Sequence, residues 1–125
     1  MESLGKHLLV DFYDCAPALL DDVEHIARSM EQAARAAGAT VLNSTFHRFS
    51  PCGVTGVLSI QESHLAIHTW PEHGFAAVDL FTCGRRLDPW AAYRVLKEAL
   101  AAAHGTAVEL HRGQAALGPP PNAAG

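Results

Sequence analysis

The chain has little charge, few cysteines and no long apolar run, and each shortage excludes a class of protein. Charged residues make up 18% of the 125 residues, and the formal net charge of −4 leaves no basic surplus to attract nucleic acid or anionic lipid. Apolar residues never run to the roughly 18 needed to cross a bilayer, and the N-terminal apolar stretch is too short for a signal peptide. We therefore expect a cytoplasmic protein with neither nucleic acid nor membrane as a partner.

Cysteine is scarce, whereas histidine is abundant. Cys15, Cys52 and Cys83 are an odd number at wide spacing, which favours reduced thiols over a disulfide framework. Eight histidines are present, and three of them lie between Ser63 and Gly74. With 49% hydrophobic residues, the chain has room for one domain with its own core, but not for separate cofactor and substrate domains.

Two segments have the apolar spacing of amphipathic helices. The first spans Asp21 to Ala37, with acidic residues at its start and Gly38 just after its end. The second starts at Asp88 and Pro89, which are typical of an N-cap and a first turn, and is predicted to end at Gly105.

Six further segments have the alternation or the β-branched apolar composition of strands. They are His7 to Tyr13, Thr40 to Phe49, Val54 to Ile60, Leu65 to Trp70, Phe75 to Cys83 and Thr106 to Arg112. This order predicts an α+β fold in two layers, an antiparallel β-sheet with two helices packed on one face. The uncovered face or edge of such a sheet favours a dimer. Residues 113–125 have no periodicity, so we expect a disordered tail after a single domain of residues 1–112.

The segment QESHLAIHTWPEHG concentrates titratable side chains beside apolar ones. In a strand, His64 and His68 share one face, and Cys83 from a neighbouring strand could complete a zinc site. Alternatively, Cys83 is a nucleophile with His68 as its base. The ligand spacing matches no standard zinc signature, and the second pattern rests on two residues. Histidines that only cap a sheet edge explain His64 and His73 equally well.

A third hypothesis starts from Glu62 and Ser63. A serine just after an apolar strand can attack the carbonyl carbon of its own preceding peptide bond, and an N-to-O acyl shift, elimination and hydrolysis then leave a pyruvoyl group. The fold must supply a donor to the oxyanion and a base for the α-proton, and His68 fits the second role because imidazole exchanges protons readily near neutral pH. A Glu–Ser pair is common, so these residues alone do not select this chemistry.

Four sequence words carry a specific resemblance to a family: GKHLLVDFYDC, GATVLNSTFHRFSPCGVTGV, ESHLAIHTWPEHGFAAVDLFTCG and DPW. They resemble the bacterial and archaeal S-adenosylmethionine decarboxylases, small pyruvoyl-dependent enzymes of spermidine synthesis, and the similarity extends from Ser3 to Arg112. The resemblance implies a proenzyme that cleaves itself between Glu62 and Ser63 into a β chain of residues 1–62 and an α chain of residues 63–125. Ser63 then becomes the pyruvoyl cofactor, which forms a Schiff base with the substrate amine.

The resemblance also implies roles for further residues. His68 acts as the base in self-processing, Cys83 is the proton donor in decarboxylation, and Thr55 stands where the family usually has a serine that assists processing. Three residues match positions that bind the nucleoside of the substrate: Phe49, Trp70 and Glu72. No metal ion is implied.

Partner and substrate follow from the same resemblance. It implies a homodimer of processed αβ protomers with active sites built from both chains. Relatives that act on ornithine or arginine keep the ESHLxxHTWP words, so the motif reports cofactor formation rather than substrate. The presence of Phe49, Trp70 and Glu72 favours S-adenosylmethionine over ornithine or arginine. A non-catalytic metal-binding or interaction module is the alternative from a different class.

Overall fold

The structure is a computed structural model that describes residues 3–61, 63–84 and 86–114. Its elements follow in the order β1 (Ser3–Tyr13), α1 (Pro17–Leu20), α2 (Val23–Ala36), β2 (Val41–Arg48), β3 (Val54–Ile60), β4 (Ser63–Trp70), a 3₁₀ turn (Pro71–His73), β5 (Phe75–Cys83), α3 (Pro89–Ala99) and β6 (His104–Gln114). The six strands form one antiparallel sheet in the order β2-β3-β4-β5-β1-β6. The predicted α+β class and antiparallel sheet are confirmed.

One face of the sheet is buried beneath the helices. Alternate residues of the central strands point into the core, as period-two alternation requires. Together with the apolar stripes of α2 and α3 they form one cluster, whose largest fully buried members are Phe12, Leu8, Leu20, Ile26, Met30, Leu58, Leu65, Ile67, Leu80, Leu96, Leu100 and Val10. The opposite face, called the open face below, is not covered by any helix in the part of the chain that the structure describes.

Helix α2 starts and ends close to the predicted positions. The Asp22 carboxylate accepts hydrogen bonds from the backbone N–H groups of Glu24 and His25 at 3.1 Å each, so it satisfies two donors that have no partner inside the helix. Gly38 follows the helix with φ of +87°, a conformation that L side chains rarely adopt.

The predicted end of the second helix at Gly105 is wrong. Asp88 caps α3 as predicted, but the helix ends at Ala99, and Gly105 lies in β6 beside Phe12 of β1. The chain reverses at Ala101, which has φ of +52°, and this frees the next residues to enter the sheet. Position 105 requires glycine not to end a helix but because a Cβ atom there would overlap the Tyr93 hydroxyl.

Further differences lie at the ends of elements. A short helix, α1, follows β1 where no helix is predicted; it begins at Pro17 and buries Leu20. β6 continues to Gln114, beyond the predicted strand end at Arg112, and pairs with β1 at the edge of the sheet. The rest of the predicted tail, residues 115–125, lies outside the described residues, as does Glu62. No helix among the described residues is long and apolar enough to span a membrane.

Candidate active site

Thr55 and His68 form a hydrogen-bonded pair on the open face. The β3–β4 register places them directly opposite each other, and Thr55 Oγ1 lies 3.1 Å from His68 Nδ1. The imidazole of His68 is exposed, so its other nitrogen remains accessible from the open face. The pair is a histidine whose orientation is fixed by a neighbouring hydroxyl, an arrangement suited to proton transfer.

Beside this pair is a cleft of about 260 Å³, called the hairpin cleft below. Its lining residues are Phe49, Cys52, Gly53, Thr55, His68, Thr69, Trp70 and Glu72. Five of the eight residues assigned by the resemblance therefore meet at one place. Phe49 and Trp70 keep 45% and 41% of their surface exposed, so two large aromatic rings are available to a ligand.

The turn that carries Phe49 is held by Asp21, at the end of α1. One carboxylate oxygen accepts a 2.9 Å hydrogen bond from the Gly53 N–H, and the other lies 2.7 Å from Nη2 of Arg48. Within the turn, the Phe49 N–H donates to the Gly53 carbonyl at 2.7 Å. The Arg48 guanidinium, followed by the Gly53 N–H, lowers the pKa of the Asp21 carboxyl. We call Asp21, Arg48 and Gly53 the turn clamp.

Cys52 contributes a thiol to the hairpin cleft. Burial is the main cause that raises its pKa, and the nearby Glu72 carboxylate raises the pKa further. The sequence predicts no role for Cys52.

Cys15 is buried with a pKa raised to about 11 by burial, so its thiol is protonated and inert.

Ser63 lies at the other end of β4 from the hairpin cleft. It is the first residue of the strand, and by strand alternation its side chain points to the helix-covered face with Leu65 and Ile67. The Ser63 hydroxyl is buried and has no hydrogen-bond partner among the described residues. The β4–β5 ladder ends at the pair His64–Phe81, so its register continued by one position sets Ser63 opposite Thr82.

Cys83 ends β5 next to Thr82. It lines a second cleft of about 480 Å³ together with Gly38, Ala39, Thr40, Gln61, Gly84, Arg86 and Leu87, called the loop cleft below. In β5, the position paired with His68 is Ala77, six residues before Cys83. Since each strand residue advances the chain by roughly 3.3 Å, Cys83 and His68 of one chain lie far apart.

This spacing bears on two of the sequence hypotheses. A Cys83 thiol with His68 as its base is not assembled within one chain. His64 and His68 do share the open face as predicted, but across residues 3–61, 63–84 and 86–114 no three His, Cys, Asp or Glu side chains converge to hold a metal ion. His64 instead packs edge-on against Phe81, at 5.5 Å between ring centroids.

The predicted site residues therefore form two groups. Thr55, His68 and the hairpin cleft are at one end of β4, and Ser63 and Cys83 are at the other. Five residues of extended chain separate Ser63 from His68, a distance of roughly 16 Å. The sequence indicates both groups but neither Asp21, whose partners Arg48 and Gly53 are remote in the sequence, nor Thr82, whose buried and unpartnered hydroxyl is visible only in the structure.

Comparisons with known proteins identify the family of the chain. Residues 6–113 match the family model described as S-adenosylmethionine decarboxylase. The chain belongs to this family. It is 57% identical over 114 residues to an S-adenosylmethionine decarboxylase proenzyme of Thermosipho africanus and 56% identical to one of Thermotoga maritima, in each case over 91% of this chain and 88% of the relative. The crystal structure of the adenosylmethionine decarboxylase from Aquifex aeolicus superposes with a TM-score of 0.79 at 39% identity, over 90% of this chain and 93% of that chain.

Proposed function

We propose that this member of the family is a self-processing, pyruvoyl-dependent decarboxylase that acts on S-adenosylmethionine. The observation that carries the proposal is the hairpin cleft, which brings Phe49, Trp70 and Glu72 together beside the Thr55–His68 pair. The relatives named above are S-adenosylmethionine decarboxylase proenzymes, and the match extends over nearly the whole domain.

Self-processing would occur between Glu62 and Ser63, giving a β chain of residues 1–62 and an α chain of residues 63–125. The buried, unpartnered hydroxyl of Ser63 fits this chemistry, because no hydrogen bond to another described residue has to break before its oxygen attacks. Thr55 supports His68, which removes the Ser63 α-proton after the acyl shift.

The distance between Ser63 and His68 within one chain is the argument for a homodimer. His68 cannot serve Ser63 of its own chain across roughly 16 Å, so the base must come from the partner subunit. The open face suits a second copy, because apolar side chains are exposed along it, among them Leu9, Val57 and Val108 in one register row. A two-fold axis through this face would bring the hairpin cleft of one subunit next to Ser63 of the other.

The pyruvoyl group made from Ser63 supplies an electrophilic ketone that accepts the electrons released with carbon dioxide. Ser63 fits this group because the β4–β5 register sets it opposite Thr82, whose neighbour in the chain, Cys83, lines the loop cleft. The Cys83 thiol holds a proton near the reacting carbon and delivers it after carbon dioxide leaves.

The substrate offers a sulfonium cation, an adenine and a ribose to the protein. Aromatic faces attract such a cation by roughly 0.5 to 2 kcal/mol each, and Phe49 and Trp70 present two exposed rings. The Glu72 carboxylate accepts hydrogen bonds from the ribose hydroxyls. Decarboxylated S-adenosylmethionine is the expected product, and we place the enzyme in spermidine biosynthesis in the cytoplasm.

Two measurements on purified protein test the proposal. Intact-mass spectrometry should find two chains with the masses of residues 1–62 and a pyruvoyl-blocked 63–125, and Ser63→Ala should stay whole. Carbon dioxide release should be seen with S-adenosylmethionine and not with ornithine or arginine. An uncleaved wild-type chain contradicts self-processing, and faster release from ornithine or arginine contradicts the substrate.

The shared active site has its own test. Ser63→Ala and His68→Ala chains with different tags are co-expressed, and mixed dimers are isolated through both tags. If the base comes from the partner, the His68→Ala chain is cleaved in the mixed dimer, because the Ser63→Ala chain supplies His68. Homodimers of either variant stay uncleaved and serve as controls. No cleavage in the mixed dimer would place both residues in one subunit's site.

A further inference from the structure

Two buried hydroxyl groups without hydrogen-bond partners lie side by side where β4 meets β5. Thr82 is 1% exposed, and neither its Oγ1 nor the Oγ of Ser63 has a partner within the described part of the chain. The β4–β5 ladder ends at the pair His64–Phe81, and its register continued by one position sets Ser63 opposite Thr82 on the helix-covered face, where Cβ atoms of opposed residues are about 4.5 to 5.5 Å apart.

A buried hydroxyl without a partner destabilises a fold. Nearly all buried polar groups are hydrogen-bonded, so an exception requires a reason. Valine has almost the shape of threonine and no hydroxyl, and β5 already has Val78 on the same face. Packing alone therefore gives no reason for threonine at position 82. By contrast, the hydroxyl of Thr69, which is also buried, accepts from the Val54 N–H at 2.9 Å and donates to the Leu20 carbonyl at 2.8 Å.

We propose that Thr82 is a positioning residue for self-cleavage, whose hydroxyl orients the attacking oxygen of Ser63. The proposal rests on the self-processing proposed above. The proposal requires one of the two side chains to adopt another staggered χ1 rotamer, in which the hydroxyls meet at hydrogen-bond distance. Thr82 then accepts a hydrogen bond from the Ser63 hydroxyl, and this bond fixes the orientation of the attacking oxygen.

The step that Thr82 assists is the acyl shift. The Ser63 oxygen forms a bond to the carbonyl carbon of Glu62, the carbon–nitrogen bond breaks, and the hydroxyl proton ends on the released α-amino nitrogen. An ester replaces the amide, and no other reactant is needed. Orientation of the nucleophile favours this step because it reduces the entropy lost in reaching the transition state.

The experiment compares Thr82→Val and Thr82→Ser with wild type. Each chain is made by cell-free translation with labelled methionine, and cleavage is followed on denaturing gels after a chase; both methionines, Met1 and Met30, lie in the 1–62 fragment. We expect Thr82→Val to slow cleavage about tenfold or more, whereas Thr82→Ser stays within about threefold of wild type.

Measurements of Tm distinguish a positioning role of the Thr82 hydroxyl from a role in packing. In the Ser63→Ala background, which cannot cleave, Thr82→Val should keep or raise Tm because it removes an unpartnered polar atom. Thr69→Val is the matched control and should lower Tm, since it removes a satisfied hydroxyl.

Three results would overturn the role of Thr82: a wild-type cleavage rate in Thr82→Val, no rescue by Thr82→Ser, or a Tm lowered by Thr82→Val. A wild-type chain that never cleaves would instead overturn the proposed function.

Discussion

Thr55 Oγ1 lies 3.1 Å from Nδ1 of His68, across the ladder between β3 and β4. This contact joins Thr55, which stands where the resemblance leads us to expect a serine, to the histidine proposed as the base. The threonine methyl restricts χ1, so the hydroxyl has fewer orientations than that of a serine. The pair nevertheless keeps its hydrogen bond.

Removal of the Thr55 hydroxyl should slow self-processing. In Thr55→Val the imidazole of His68 loses the partner that orients it, so part of the roughly 10² to 10⁴ in rate that a positioned general base contributes should be lost. Thr55→Ser should cleave at least as fast as wild type. The measurement is the time course of the two fragments on denaturing gels. Equal rates for Thr55→Val and wild type would exclude Thr55 from processing.

Cys83→Ala should separate processing from turnover. The variant should still cleave itself, but carbon dioxide release should fall steeply and the α chain should become inactive as protonation at the wrong atom converts its terminus to alanine. Mass spectrometry of the α chain during turnover follows this conversion. Cys15→Ala is the control, since that thiol is buried away from both clefts. Normal turnover in Cys83→Ala would remove Cys83 from the mechanism.

Gly56 is a position where the fold leaves no room for a side chain. It is buried in β3, and a Cβ atom there would overlap the ring of Phe46 on β2. Gly56→Ala should therefore lower the free energy of unfolding by about 1 to 3 kcal/mol, as overpacking does. Urea denaturation of the uncleavable Ser63→Ala chain measures this loss. The loss should be smaller with Phe46→Leu present, and an unchanged loss would show that the ring is not its cause.

Local patterns predicted the parts of the fold that depend on neighbours in sequence. Alternation placed His64 and His68 on one face, and Asp88 with Pro89 correctly marked the start of α3. The predicted end of α3 is wrong because a glycine after an apolar stripe is also typical of a helix C-terminus. Gly105 is a glycine for a tertiary reason, since a side chain there would overlap Tyr93.

The site was predicted as a list of residues, not as two separated groups. The resemblance named the residues of both groups, but only strand register shows that Ser63 and His68 are at opposite ends of β4. Contacts between remote segments carried no local signal: Asp21 and Gly53 are 32 positions apart.

The turn clamp should affect substrate binding rather than the reaction, because Asp21 holds the turn that carries Phe49. Asp21→Ala removes the acceptor for Gly53 and the partner of Arg48, so the turn should lose its fixed position. We expect KM for S-adenosylmethionine to rise several-fold with little change in kcat, since the loss affects binding rather than the reacting groups. Self-cleavage should be retained. Asp21→Asn keeps an oxygen acceptor for Gly53 and should have a smaller effect; a fall in kcat at constant KM would contradict the clamp.

The pH dependence of Tm gives an independent measure of how much the ionised Asp21 carboxylate stabilises the fold. Arg48 and the Gly53 N–H lower the pKa of Asp21 in the folded chain below its unfolded value of about 3.9. Its contribution to stability is therefore fully present above that value and is lost as the pH falls through the lower folded pKa. The difference in Tm between the Ser63→Ala chain and its Asp21→Asn derivative should thus be constant from pH 7 to about pH 5 and shrink in more acidic solution. A difference that stays unchanged down to about pH 2 would show that the ionised carboxylate does not hold the turn.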